Sequence, residues 1–228
     1  MPLLLTTHPF SDTVFGLWQI AEEEAFFRNE LPLTAAEETE LAKLKNIRRM
    51  EWLASRWLLH KLTGAPQRLP LAKDAFSKPF FLDQPDLYCS LSHSYGIVGA
   101  LLAGQNVGCD IQVQVAKMPR LACKFLNDSE DAFVRKHAAP EQFDLFHVFW
   151  TAKESLYKAY GLRELDFRAH MRLEPFHWAD RGSAKGWVEK GSFRKPFRLY
   201  FEKFRLPGED SLIWTVCLPH DEEMRIAG

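Results

Sequence analysis

The order of apolar and polar positions predicts strands, helices and strands in two successive runs. Thr13–Ile20 is β-branched and aromatic and predicts a strand. Thr34 and Glu37 then form the Thr-x-x-Glu signature that opens a helix. Helical spacing runs from Ala35 to about Leu62, with a break expected near Asn46 and a stop at Gly64-Ala65-Pro66. Leu87–Ser92 and Ile97–Ala103 read as strands, the second apolar throughout and therefore central in its sheet. Gly104-Gln105-Asn106 turns the chain into Val107–Val113, where alternation puts Asp110, Gln112 and Gln114 on one face and Cys109, Ile111 and Val113 on the other. Helical spacing returns over Pro119–His137 and Glu141–Tyr160. In the second stretch steps of three and four align His147, Thr151, Glu154 and Lys158 on one stripe, which ends at Gly161. Strand-like runs near Met171–Trp178, Gly186–Glu189, Phe197–Phe204 and Ser211–Cys217 complete an antiparallel set. The expected class is α+β, in two halves divided as 1–112 and 113–228.

Composition narrows the function. The 228 residues are 46% apolar, and 29 Lys+Arg against 30 Asp+Glu leave a net charge of −1. The chain is long enough to bury a sizeable core as one large domain or two small ones. Near-neutral charge gives no general attraction to nucleic acid or to an anionic membrane. The longest apolar run, Ile97–Gly104, is far short of the ~20 residues a membrane helix needs. No basic segment precedes the N-terminal leucines, so the chain reads as untargeted and cytoplasmic. Four cysteines at wide, irregular spacing with no C-x-x-C pair predict free thiols rather than a zinc site or a disulfide framework.

No P-loop, dinucleotide fingerprint or zinc-protease motif is present, so any phosphate chemistry must use side chains. Four clusters are candidates, each with an ordinary structural reading beside it. Lys45, Arg48, Arg49, Arg56 and His60 form a basic helix row whose guanidinium forks suit phosphate oxygens, or a solvated face. Phe76-Ser77-Lys78-Pro79 holds a lysine in a turn, or is a surface loop. Ser90-Leu91-Ser92-His93-Ser94 offers anion-binding donors, or a polar strand end. Asp110 with Glu154 suits a hard cation such as Mg2+, whereas Glu154 and Lys158 at i,i+4 also suit a helix salt bridge.

The order of these clusters decides between the readings. Ser77-Lys78-Pro79, then Ser90–Ser94, then Gly108-Cys109-Asp110-Ile111-Gln112, then Trp150-Thr151-Ala152-Lys153-Glu154-Ser155-Leu156-Tyr157-Lys158 closely resembles the 4'-phosphopantetheinyl transferase superfamily, in its two-half, surfactin-synthetase-activating type. The resemblance runs from about Thr34 to about Cys217 and is most specific in the Trp-x-x-Lys-Glu-x-x-x-Lys stretch. It implies Mg2+-dependent transfer of 4'-phosphopantetheine from coenzyme A to a serine of an acyl or peptidyl carrier protein. Two pseudo-symmetric halves would then enclose coenzyme A in the cleft between them, in a monomer. On that pattern Asp110, Gln112 and Glu154 match metal ligands, and Glu154, Lys158 and Asp110 carry catalysis. Lys78, Ser92 and His93 match nucleotide and 3'-phosphate contacts, and Lys153 helps balance phosphate charge. Arg49 and Arg56 lie in a helix that supplies further phosphate contacts, with Arg48 as the alternative to Arg49.

Two positions depart from the family pattern. Gln112 stands where an acidic ligand is usual, which weakens the pull on a cation and leaves open a second reading, a coenzyme A and carrier-binding module without turnover. Ser77 replaces the glycine of the usual Gly-Lys-Pro, a change expected to be tolerated unless that backbone requires positive φ.

Overall fold

The computed structural model describes residues 3–208 and 210–220. The last eight residues of the expected second half therefore lie outside the described residues. The fold is α+β, with two antiparallel sheets each packed with helices. The first sheet has the order β1-β2-β6-β5, formed by Leu3–Thr7 (β1), Thr13–Gln19 (β2), Tyr88–Ser94 (β5) and Ile97–Ala103 (β6). All seven residues of β6 are buried, as an apolar central strand should be. A two-stranded ribbon, Leu71–Lys73 (β3) with Pro79–Phe81 (β4), stands beside it.

Three helices accompany this sheet: Glu24–Glu30 (α1), Ala35–Ala42 (α2) and Asn46–Thr63 (α3). Thr34 caps α2 as expected, accepting the Glu37 N–H at 3.3 Å while the Glu37 carboxylate accepts the Thr34 N–H at 3.0 Å. The long helical run breaks before Asn46, whose φ of +49° is left-handed. α3 stops at Gly64, φ +62°, a position that glycine fills without steric cost. Trp52, Leu53, Trp57 and Leu58 of α3 pack against Trp18, Val98, Ala100 and Leu102 of the sheet.

The second sheet has the order β7-β11-β10-β9-β8, from Gly108–Val113 (β7), Met171–Leu173 (β8), Arg181–Lys190 (β9), Phe193–Arg205 (β10) and Ser211–Pro219 (β11). The turn after β6 thus does not make a hairpin: β7 leaves the first sheet and pairs with β11, Asp110 opposite Thr215. The helix expected over Pro119–His137 is two short ones, Met118–Leu121 (α4) and Asp128–Val134 (α5), the latter opened afresh by an Asn127–Glu130 capping box. Ala139–Tyr160 (α6) is the long helix packed on this sheet, and Leu145, Phe149, Ala152 and Leu156 on it pack with Val188, Phe197, Leu199 and Ile213. A third apolar cluster joins the two sheets: Phe15, Leu17 and Leu101 meet Ile111, Trp214 and Val216, with Phe15 stacked on Trp214 at 4.6 Å.

Candidate active site

The site begins with a glycine. A Cβ on Gly108 would lie 2.0 Å from the Ser155 carbonyl oxygen and 2.8 Å from the Ala159 nitrogen, so β7 and α6 meet backbone to backbone. Two buried hydroxyls seat α6 on the same sheet, Thr151 Oγ1 at 2.7 Å from Thr215 Oγ1 and Ser155 Oγ donating to the Thr215 carbonyl at 3.0 Å. This contact delivers the polar face of β7 to the Glu154–Lys158 stripe of α6.

Lys158 Nζ donates to Asp110 Oδ1 at 2.8 Å and to the Cys109 carbonyl at 2.9 Å. Ser92 Oγ donates to the same Oδ1 at 2.6 Å. Among the described residues no donor reaches Asp110 Oδ2, and Glu154 has neither a hydrogen bond nor an ion pair. Burial, reinforced by the nearby Asp110 charge and opposed by Lys158, pushes the Glu154 carboxyl up to about 7. Burial also acts to lower the Lys158 pKa, but the Asp110 charge and hydrogen bond raise it above the ordinary lysine value. Gln112 spends its Nε2 on the Val113 carbonyl at 2.8 Å and on Ser94 Oγ at 3.4 Å, and among the described residues nothing donates to its amide oxygen.

Asp110 Oδ2, Glu154 and the Gln112 oxygen are thus three hard donors without a hydrogen-bond partner among the described residues. That donor set fits Mg2+, which takes one or two carboxylates and completes its shell with water and phosphate oxygens. Among the described residues no group of three or more His, Cys, Asp or Glu could hold a metal ion. A site here therefore rests on two carboxylates and an amide.

Other expected residues are divided among neighbouring places. His93, Ser92 and Arg56 line a cavity of about 280 Å3 together with Arg48, Lys73 and Glu40. His93 accepts from Arg48 Nη1 at 2.8 Å through Nε2, and its Nδ1 lies 3.1 Å from Glu51 Oε2. Burial holds its imidazole below the ordinary pKa, with Glu51 opposing. Arg56 is 6% exposed, with its guanidinium carbon 3.5 Å from the centroid of the Trp52 ring and Glu37 and Glu40 at 4.0 and 3.9 Å. Burial brings its pKa down to about 10. Arg49 does not reach this cavity, since it donates to both Glu24 oxygens at 2.7 Å and to the Leu41 carbonyl. Its neighbour Arg48, 65% exposed, takes that place.

Lys78 lines a different cavity, of about 300 Å3, with Lys158 and Arg163. Its ammonium donates to Asn106 Oδ1 and, at 3.1 Å, to the Ala159 carbonyl, satisfying the C-terminal end of α6. Lys153 lines neither cavity: it is fully buried and donates to Glu130 Oε2 at 2.6 Å and to the carbonyls of Phe125, Phe167 and Met171.

A profile of the 4'-phosphopantetheinyl transferase superfamily matches residues 106–217, the span holding Asp110, Gln112, Glu154 and Lys158. The 4'-phosphopantetheinyl transferase AcpT of Escherichia coli K12 is 34% identical over 139 residues, covering 57% of this chain and 70% of that one. The chain belongs to this superfamily. The 4'-phosphopantetheinyl transferase Gsp of Aneurinibacillus migulanus is 24% identical over 151 residues, 66% of this chain and 60% of that one. The match thus spans less than the whole length of either relative.

Sequence reasoning missed Glu51 behind His93 and Asn106 behind Lys78, and read Ser90 and Ser94 on β5 as anion donors where their hydroxyls accept the Cys109 and Val113 N–H groups. Only the serines left a signal, a hydroxyl at every second position of a predicted strand.

Proposed function

We propose that this chain transfers 4'-phosphopantetheine from coenzyme A to a serine of an acyl or peptidyl carrier protein, with Mg2+ held by Asp110, Glu154 and Gln112. The observation that carries the proposal is the meeting of Asp110, Glu154 and Lys158 with ligand oxygens left free. The two halves, 1–112 and 113–228, would be pseudo-symmetric, with coenzyme A in the cleft between them. In the reaction the serine oxygen bonds to the β-phosphorus of coenzyme A. The bond from that phosphorus to the oxygen bridging it to the α-phosphate breaks, and adenosine 3',5'-bisphosphate leaves.

Bound Mg2+ would supply charge neutralisation on the phosphate oxygens, the main requirement of a phosphoryl displacement. Lys158 adds a fixed positive charge next to Asp110. Glu154 is the general base for the serine proton, directly or through a water, and because a carboxylate that also holds the cation is a weaker base the water route is favoured. Arg48, Arg56, Ser92 and His93 surround one cavity suited to the nucleotide phosphates, and Lys78 with Lys158 faces another. Lys153 supports the reading from a distance, by anchoring α6.

Incubation with coenzyme A, Mg2+ and an apo carrier protein should add ~340 Da to the carrier, the mass of the transferred group. Glu154→Gln should cut the rate ~10²-fold or more at saturating Mg2+ with the fold intact. Coenzyme A binding without modification of any carrier would favour the non-catalytic module that Gln112 suggests.

A further inference from the structure

β5 and β7 lie side by side but belong to different sheets, so no backbone ladder joins them. Side chains replace it. Ser90, Ser92 and Ser94 project alternately from β5, and their hydroxyl oxygens accept the backbone N–H groups of Cys109, Ile111 and Val113 at 2.9, 3.2 and 3.0 Å. The three serines are buried, at 4%, 6% and 7% exposure. A hydroxyl has one proton and two lone pairs, so each serine that accepts from β7 still has one proton to give. Only Ser92 gives it to Asp110, at 2.6 Å.

We infer that Ser92 is a positioning residue for the metal site: bonded at once to the Ile111 N–H and to Asp110 Oδ1, it fixes the carboxylate so that Oδ2 points away from Lys158 and stays open to a cation. This rests on the proposed function above and changes the role given to Ser92 there, since the proton a phosphate contact would need is already committed. Lys158 draws on the same Oδ1 from the other side, at 2.8 Å. With two donors on one oxygen the carboxylate has one preferred rotation. Without the serine proton it is free to turn both oxygens toward the ammonium, which then competes with the metal. Ser90 makes the same seam bond without touching Asp110, so it separates loss of the seam from loss of positioning.

The test compares wild type with Ser92→Ala, Ser92→Thr and Ser90→Ala. Mn2+ binding is read from the electron paramagnetic resonance of the free ion, coenzyme A binding is measured in EDTA, and unfolding is followed by heat. Outer ligands of this kind are worth ~10–100-fold in metal affinity. Ser92→Ala should weaken Mn2+ ~10-fold or more and leave coenzyme A affinity in EDTA unchanged. Ser92→Thr, which keeps the hydroxyl, should restore Mn2+, and Ser90→Ala should lower the melting temperature with Mn2+ affinity unchanged. If Ser92→Ala is too unstable to purify, Ser92→Cys, a weaker donor of similar size, should show the same selective loss. Unchanged Mn2+ affinity in the Ser92 variants, an equal loss in Ser90→Ala, or a loss confined to coenzyme A would each overturn the inference. A wild type that neither binds Mn2+ nor modifies a carrier would instead remove the function on which it rests.

Discussion

Ser77 holds a φ of +70°, the conformation in which a side chain crowds the following carbonyl and glycine does not. The expectation that serine is tolerated here was conditional on an ordinary φ, and the condition is not met. Ser77→Gly should therefore raise stability, by up to about 1 kcal/mol once the greater freedom of glycine in the unfolded chain is set against the relief. The urea midpoint measures it, and a lower midpoint would show that the hydroxyl, which accepts from Arg163, matters more than the strain. Gln112 poses the second test at this scale. Its oxygen is free but neutral, so Gln112→Glu should reduce the Mg2+ needed for half-maximal transfer, one more negative ligand favouring a hard cation. An inert wild type revived by Gln112→Glu would instead assign the natural chain to binding without turnover.

Between elements, the decisive contact is β7 on α6. The atoms a Cβ at Gly108 would strike are backbone and cannot swing aside, so Gly108→Ala should cost about 3 kcal/mol or more and depress soluble yield. Near-native stability in urea would show that strand and helix can separate cheaply. His147 makes the neighbouring link, accepting the Val115 N–H at 2.9 Å through Nε2 while Nδ1 donates to the Phe143 carbonyl at 2.8 Å. Burial holds its pKa below the ordinary value, with the Phe143 bond and Asp144 opposing and Lys203 adding to the depression. Folded His147 is neutral, whereas the unfolded chain binds its proton below about 6.5, so stability should fall as pH drops through that value. The slope from this one group is at most about 1.4 kcal/mol per pH unit. In His147→Gln, whose amide can still accept from Val115, that part of the acid sensitivity should vanish. Denaturant midpoints at about pH 7.5 and about pH 5.5 compare the two chains.

At the scale of the whole molecule, Lys153 and Glu130 tie α6 to α5 and to the start of β8. Glu130 accepts from Lys153, from the Asn127 N–H at 3.0 Å and from the Leu173 N–H at 2.9 Å. Removing one partner of a buried pair strands the other, so Lys153→Met should cost about 3–5 kcal/mol. At a temperature where the variant is still folded, its KM for coenzyme A should stay near wild type, because the ammonium is committed to Glu130 and three carbonyls in the interior. A raised KM with unchanged stability would return Lys153 to the phosphate contacts that its place in the motif suggested.

The sequence by itself determined most of the element types and the family to which the chain belongs. β-branched and aromatic content marked β2, an unbroken apolar run marked β6 and alternation set the faces of β7, the Thr34 capping box and Gly64 bounded the first helical run, and steps of three and four aligned Glu154 with Lys158, because these are properties of one strand or one helix. It missed β1, α1 and the ribbon of β3 and β4, which are short and stabilised by what they pack on rather than by a pattern of their own. Tertiary structure decided which charged groups meet. Arg49 and Arg48 are adjacent in sequence, yet Glu24 captures the first and leaves the second beside His93. Lys153 and Glu154 are also adjacent, but about 100° apart on the helix one turns into the core and the other toward Asp110. Local spacing carries no information about partners many residues away in sequence, and only the packing of β7 between β5, β11 and α6 supplies them.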